Sequence, residues 1–257
     1  MGDGASARDV DARAIEPRAW QTVLEHVESR LLSGDLGPGD RLPGERALSA
    51  ELGVGRSSVR EALRVLEVLG LIRTQAGSGP SAGAIIIATP GGGMSALMRL
   101  QVAAHGFPVA DIVRTRLILE TSVAGDLAES SPVPDLGVAD RLLDAMDSPA
   151  LAPAEFLALD AAFHLALAEA SGNQVIAATM AGLRSGIEGY ALAGLATIDD
   201  WVTTSARLRG EHRGIVEAIR AADAAAARSR IHDHISGYYA ETFIEPHHPR
   251  KAETTTW

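Results

Sequence analysis

The stretch Arg41–Arg73, RLPGERALSAELGVGRSSVREALRVLEVLGLIR, decides the fold. It reads as two helices joined by a short glycine-containing turn and followed by a strand, the plan of a winged helix-turn-helix. Pro43 fixes φ and opens the first helix, and Glu45 gives its first turn the favourable charge sign. That helix is predicted to run to about Leu52. Gly53 follows where a helix C-terminus tolerates positive φ, Val54 drops into the core, and Gly55-Arg56-Ser57-Ser58 starts the next helix with a hydroxyl cap. In that second helix Val59, Leu63 and Leu66, spaced i, i+4, i+7, form an apolar face with Ala62 beside them. Arg56, Arg60 and Arg64 fall on another face.

An arginine near the start of a recognition helix grips phosphate or reads guanine O6 and N7 with both arms of its fork, and spacing alone does not say which. Arg56 and Arg60 are assigned to the major groove, Ser57 and Ser58 to phosphate or base edges, and Arg46 to the DNA backbone. The competing reading is a solvated face whose arginines pair with Glu61 and Glu67. The agreement of turn, caps and apolar face favours DNA.

The strings Gly34-Asp35-Leu36-Gly37-Pro38-Gly39-Asp40-Arg41-Leu42-Pro43, Glu45-Arg46-Ala47-Leu48, Gly53-Val54-Gly55-Arg56 and Val59-Arg60-Glu61-Ala62-Leu63 together resemble the N-terminal domain of GntR-family bacterial transcription regulators, over roughly residues 17–89. The resemblance implies that Arg46, Arg56 and Arg60 contact operator DNA. One departure is the wing, where Gly77-Ser78-Gly79-Pro80-Ser81-Ala82-Gly83 replaces a compact Gly-x-Gly tip and leaves minor-groove contact by the wing open.

With 257 residues, the chain has room for this domain and a second, larger one with its own core. The absence of cysteine rules out disulfides and thiolate metal sites. No apolar stretch is long enough to span a bilayer and no signal-peptide hydrophobic region follows Met1, so a cytoplasmic protein is expected. A net charge of −10 argues against a nucleic-acid partner until its distribution is considered. Residues 17–80 carry eight arginines against eight acids, whereas residues 81–257 carry 13 basic and 21 acidic side chains. The acidity belongs to the second domain, where it disfavours nonspecific attachment to DNA.

Residues 1–16 are polar and aperiodic and are expected as a disordered arm; residues 17–89 are the winged helix-turn-helix domain; 90–93, within Thr89-Pro90-Gly91-Gly92-Gly93, read as a linker; 94–245 form an all-helical effector-binding and dimerisation domain; and 246–257 are a flexible tail. From Met94 onward, Ala and Leu dominate with helical periodicity, predicting helices near 94–105, 108–130, 135–147, 153–171, 173–193, 199–221 and 223–243. The expected fold is mainly α, an N-terminal winged helix-turn-helix followed by an all-helical antiparallel bundle. Aromatic content of 4% leaves it an aliphatic core packed closely through alanine.

Within the bundle, Asp160 and His164 share one helical face at i, i+4, and His212 and His234 lie on two later helices that could converge on the same cavity. Three imidazoles and a carboxylate suit zinc, nickel, cobalt or manganese with positions left open. A histidine on a helical face is, however, more often a hydrogen-bonded core residue, and scattered positions do not establish convergence. Asp160-Ala161-Ala162-Phe163-His164, Ala170-Ser171-Gly172-Asn173, Glu211-His212-Arg213-Gly214-Ile215-Val216-Glu217-Ala218-Ile219 and Ile231-His232-Asp233-His234 are similar to the FCD-type ligand domain of the FadR-like GntR subgroup. That resemblance implies a divalent metal held by Asp160, His164, His212 and His234. It also matches the segment Val113 to Glu120 to the family's Arg-x3-Glu helix, which places Arg116 at the effector cavity, where guanidinium and metal would share a small carboxylate. The alternative for Arg116 is a salt bridge to Glu120, one turn away.

The expected protein is a homodimeric, effector-responsive regulator, a repressor by family habit, whose two winged domains occupy the halves of a pseudo-palindromic operator. It is not read as an enzyme. A metal-free acyl-type sensor of the same subgroup and a helical metal-dependent hydrolase are the competing classes, and the latter leaves the helix-turn-helix unexplained.

Overall fold

The computed structural model of the chain describes residues 18–75, 83–88, 90–104, 106–148 and 150–242. The expected N-terminal arm, the C-terminal tail and the wing tip from Gly77 to Ala82 lie outside the described residues. Two compact units divide between residues 89 and 90.

The first unit contains α1 (Ala19–Leu32), α2 (Glu45–Leu52), α3 (Arg56–Val68), β1 (Ile72–Gln75) and β2 (Gly83–Ile86). Gly53 closes α2 at φ +66, the left-handed conformation a side chain would disfavour. Ser49 fastens the turn by donating its hydroxyl to the Val54 carbonyl at 2.7 Å. Val59, Ala62, Leu63 and Leu66 of α3 are buried against Val23 and Val27 of α1 and Leu48 of α2, as the periodicity requires. Two local expectations are corrected. α2 starts at Glu45 behind Gly44, because the preceding segment is held extended by the Leu42 amide donating to the Ala84 carbonyl at 2.9 Å, which keeps Pro43 outside the helix. The N-cap of α3 is Gly55 with no side-chain cap; Ser57 and Ser58 already stand inside the helix, past the position from which a hydroxyl caps it.

β1 and β2 pair antiparallel with Ile72 opposite Ile86 and Thr74 opposite Ala84, and Arg41 bridges to Ile85 on the other side of β2. Glu67, in the last turn of α3, accepts from the Thr74 amide at 2.9 Å and from its hydroxyl at 2.5 Å, tying the recognition helix to β1.

The second unit is helical: α4 (Pro90–Ala103), α5 (Val109–Glu129), α6 (Gly137–Met146), α7 (Pro153–Ala170), α8 (Gln174–Gly194), a short 3-10 turn (Leu195–Thr197), α9 (Trp201–Arg220) and α10 (Ala224–Thr242). Residues 90–93, expected as a linker, form the first turn of α4 instead. Pro90 presets φ for that turn, and first-turn amides need no intrahelical partner, so glycine is least costly there. Asn173 caps α8 by accepting from the amides of Val175 and Ile176, and Asp200 caps α9 by accepting from Thr203. α4 runs against α8 so closely that a Cβ added at Gly182 would stand 2.6 Å from Cβ of Met98. α5 touches α7, α8, α9 and α10, and so brings its own polar residues into the middle of the bundle. Phe156, Phe163, Leu167, Met180, Leu208, Ile215 and Ile219 fill the surrounding core.

Candidate metal centre and recognition helix

Asp160 and His164 on α7, His212 on α9 and His234 on α10 come together, all buried, with one ligand atom from each within 4.8 Å of the others. Nε2 of His234 lies 3.1 Å from Nε2 of His164 and 3.1 Å from Nε2 of His212. The Asp160 carboxylate is 2.9 Å from Nε2 of His212, 3.7 Å from that of His234 and 3.8 Å from that of His164. The i, i+4 spacing on α7 stacks Asp160 over His164, and the opposing helices supply the other two rings.

The outer nitrogens of two rings face carboxylates. Nδ1 of His164 stands 2.5 Å from Oε2 of Glu120, outside straight hydrogen-bond geometry. Nδ1 of His234 is hydrogen-bonded to Oε2 of Glu211 at 2.8 Å. An unprotonated nitrogen so close to a carboxylate would be repelled; a proton at Nδ1 of each ring would relieve that repulsion and turn an Nε2 lone pair inward. Two lone pairs 3.1 Å apart repel each other unless a cation lies between them. Ligands around zinc at ~2.0–2.1 Å stand about 3 Å from one another, so the spacing and the donor set fit a divalent ion.

The electrostatics agree with that arrangement. Burial pushes the Asp160 carboxyl up, but hydrogen bonding to His212 and the three imidazoles outweigh burial and hold it well below the usual range. Burial also opposes ionisation of Glu120, which Arg116 and His164 nonetheless pull down to about 2. Burial, with His212 and His164 beside it, drives His234 down to about 4 against the raising effect of Glu211 and Asp160, which keeps the imidazole neutral. Arg116 donates from Nε to Glu120 at 2.7 Å and from Nη1 to the Tyr190 hydroxyl at 2.5 Å, while its Nη2 is buried with no hydrogen-bond partner among the described residues. Arg116 thus makes the salt bridge to Glu120, and it also lines a small cavity. That cavity is about 10 Å³, room for roughly one water, and is lined by Arg116, Asp160, His234, Tyr190 and Tyr238 among others. Tyr238 closes one side by donating to the Ala191 carbonyl at 2.9 Å.

On the first unit, Arg46, Arg56, Ser57 and Arg60 are exposed and Ser58 is half-buried, with the last four on the first two turns of α3. The acid paired with this face is Glu45, rather than Glu61 or Glu67. Arg60 donates to it from Nε at 3.2 Å and from Nη2 at 2.8 Å, and Nη2 of Arg56 lies 3.9 Å away. The Arg60 hydrogen bond holds the Glu45 carboxyl below its ordinary value. Glu67 is turned to Thr74 instead.

Residues 20–80 match the model of the bacterial regulatory proteins, gntR family, and residues 111–237 match the FCD domain. The HTH-type transcriptional repressor NanR of Citrobacter rodentium is 30% identical over 228 residues, which cover 86% of this chain and 84% of that one. The chain belongs to the GntR family. NanR of Escherichia coli K12 is 29% identical to this GntR regulator over 244 residues, covering 92% and 89% of the two chains. The solved structure of Streptococcus agalactiae GntR is similar with a TM-score of 0.54 and 25% identity, over 86% of this chain and 98% of that one.

Three residues of this GntR protein that contact its polar sites were not assigned those roles from sequence. Sequence spacing offers Glu120 only as a partner of Arg116, although its second oxygen faces His164 on α7. Glu211 adjoins His212 in sequence yet serves His234. Tyr190 carries no motif signal; only its place on α8 facing α5 brings it to Arg116. No helix among the described residues is long and apolar enough to cross a membrane.

Proposed function

We propose that this GntR regulator is a transcriptional repressor that binds a pseudo-palindromic operator as a homodimer, holds a divalent metal through Asp160, His164, His212 and His234, and releases or remodels DNA when a small carboxylate enters beside Arg116. The observation that carries the reading is the inward convergence of three imidazole Nε2 atoms and one carboxylate, two of the rings set by Glu120 and Glu211. Zinc, nickel, cobalt and manganese all suit this donor set. Bound there, the ion would supply a Lewis-acidic anchor for one carboxylate oxygen. Repression follows the relatives' names.

The chain's own residues supply the rest. Arg116 has a buried guanidinium nitrogen left over after Glu120 and Tyr190 are served, which suits a second carboxylate oxygen. A cavity of about 10 Å³ does not hold a carboxylate, so a carboxylate there would displace some of the residues lining it, Tyr190 on α8 and Tyr238 on α10 among them. Helix displacement of that kind gives an effector different affinities for two states of the dimer, the requirement for allosteric control, ordinarily worth ~1–3 kcal/mol.

Native mass spectrometry of the full chain before and after chelation tests the reading. The expected result is a dimer with one metal per chain, lost on chelation and absent from His212→Ala. A metal-free dimer whose DNA binding is unchanged by zinc would return the four residues to a core role.

A further inference from the structure

Glu45 is an acid on the face assigned to DNA, where the phosphate backbone would repel it. Its pair with Arg60 joins the first residue of α2 to the second turn of α3, and both side chains are substantially exposed, at 31% and 53%. An exposed pair of this kind adds little to stability. What it does determine is the attitude of the guanidinium. Glu45 takes the side-on edge of Arg60, Nε and Nη2, with both carboxylate oxygens. The end-on edge, Nη1 together with the second hydrogen of Nη2, stays unoccupied by that pair and points away from the carboxylate. Two parallel N–H groups on that edge match O6 and N7 of guanine. Arg56 approaches the same carboxylate with one nitrogen only, at 3.9 Å, so its fork is not oriented in this way.

Resting on the DNA-binding reading above, we infer that Glu45 is a specificity-determining positioning residue: it clamps the side-on edge of Arg60 and thereby commits the end-on edge to a guanine in each operator half-site. The alternative role for the same contact is a plain electrostatic brake, in which Glu45 merely competes with phosphate for Arg60. The two roles separate because they move different quantities. Removing a brake strengthens binding to every duplex alike, whereas removing a clamp lowers the ratio of specific to nonspecific binding.

The experiment is selection from a randomised duplex pool with the full-length wild type, Glu45→Gln, Arg60→Ala and the double variant, followed by titration of the selected operator and of a scrambled duplex at one fixed salt concentration. For Glu45→Gln, a fall of about tenfold in the operator-to-scrambled ratio is expected, with preference for guanine weakened at one symmetric position. Arg60→Ala is expected to lose the same guanine, and adding Glu45→Gln to it should change base preference no further. Equal strengthening on both duplexes, or an unchanged guanine preference in Glu45→Gln, would overturn the clamp while leaving the protein a DNA-binding regulator. If the wild type enriches no sequence at all, the DNA-binding reading itself falls. Thermal unfolding of each variant separates these outcomes from a loss of fold.

Discussion

The two units keep the charged groups of their candidate sites under opposite conditions. Arg46, Arg56 and Arg60 stand in solvent, held at most by Glu45, and can change partners at small cost. Arg116, Glu120, Asp160 and the three histidines are enclosed among α5, α7, α9 and α10, where they face one another, while Nη2 of Arg116 and Nδ1 of His212 are buried with no hydrogen-bond partner among the described residues. An exposed arginine is therefore available to a polyanion arriving from outside. The buried set is already assembled, and only a partner that fits its geometry and charge could enter it.

The largest effect that sharpens this contrast is the cost of deleting one charge. Arg116→Ala leaves Glu120 ionised and buried with His164 as its remaining partner, and should lower unfolding free energy by ~3–5 kcal/mol in urea titration. Arg56→Ala should stay within about 0.5 kcal/mol of wild type. Similar losses for the two would erase the distinction.

Acid should act on the second unit next. The folded value of His234, about 4, lies below its ordinary 6.5, so folding excludes a proton that the unfolded chain accepts. In chelated protein its contribution is complete above pH 6.5 and is lost as pH falls towards 4, with on the order of 3 kcal/mol involved. Glu120, lowered to about 2, extends the decline from 4.5 downward, since its ionised form is the one the fold favours. Denaturant midpoints at pH 7.5, 5.5 and 4 measure this, and a flat profile would remove His234 from its buried neutral state.

Metal follows in magnitude. Zinc at a hundred times its dissociation constant should stabilise the chain by about 2.7 kcal/mol, reversed by chelation. The shift should vanish in His234→Ala and persist in Arg60→Ala; scanning calorimetry with and without zinc decides it.

The smallest of these effects belongs to the first unit. Arg56→Ala should weaken operator binding by ~1–3 kcal/mol and relax one base position per half-site. Unchanged affinity and preference in a binding isotherm would take Arg56 out of the recognition surface.

The helix-turn-helix was legible because each signal in it is local: Gly53 after an eight-residue helix, and Val59, Leu63 and Leu66 at fixed spacing. Three of the four candidate metal ligands are histidines on different helices, and what joined them in the reading was family resemblance, since periodicity alone leaves their faces unconnected. Glu120 and Glu211 were illegible in those roles for the same physical reason. Their partners lie 44 and 23 residues away, and only helix packing brings them near. Gly91-Gly92-Gly93 misled in the other direction, because glycine marks a break only where a helix interior is at stake, and here Pro90 puts all three in a first turn. Spacing along α3 offers Glu61 and Glu67 as partners for its arginines, whereas the short turn folds Glu45 of α2 onto Arg60.

The tie between Glu67 and Thr74 has a consequence for how copies of this protein coexist at high local concentration. A two-stranded ribbon ordinarily exposes backbone donors on which a neighbour's strand can build. Here the outward amide of Thr74 is already occupied by a carboxylate, and the far side of β2 is taken by Asp40, Arg41 and Leu42. The described part of the ribbon thus offers a poor template for strand exchange or edge-to-edge aggregation.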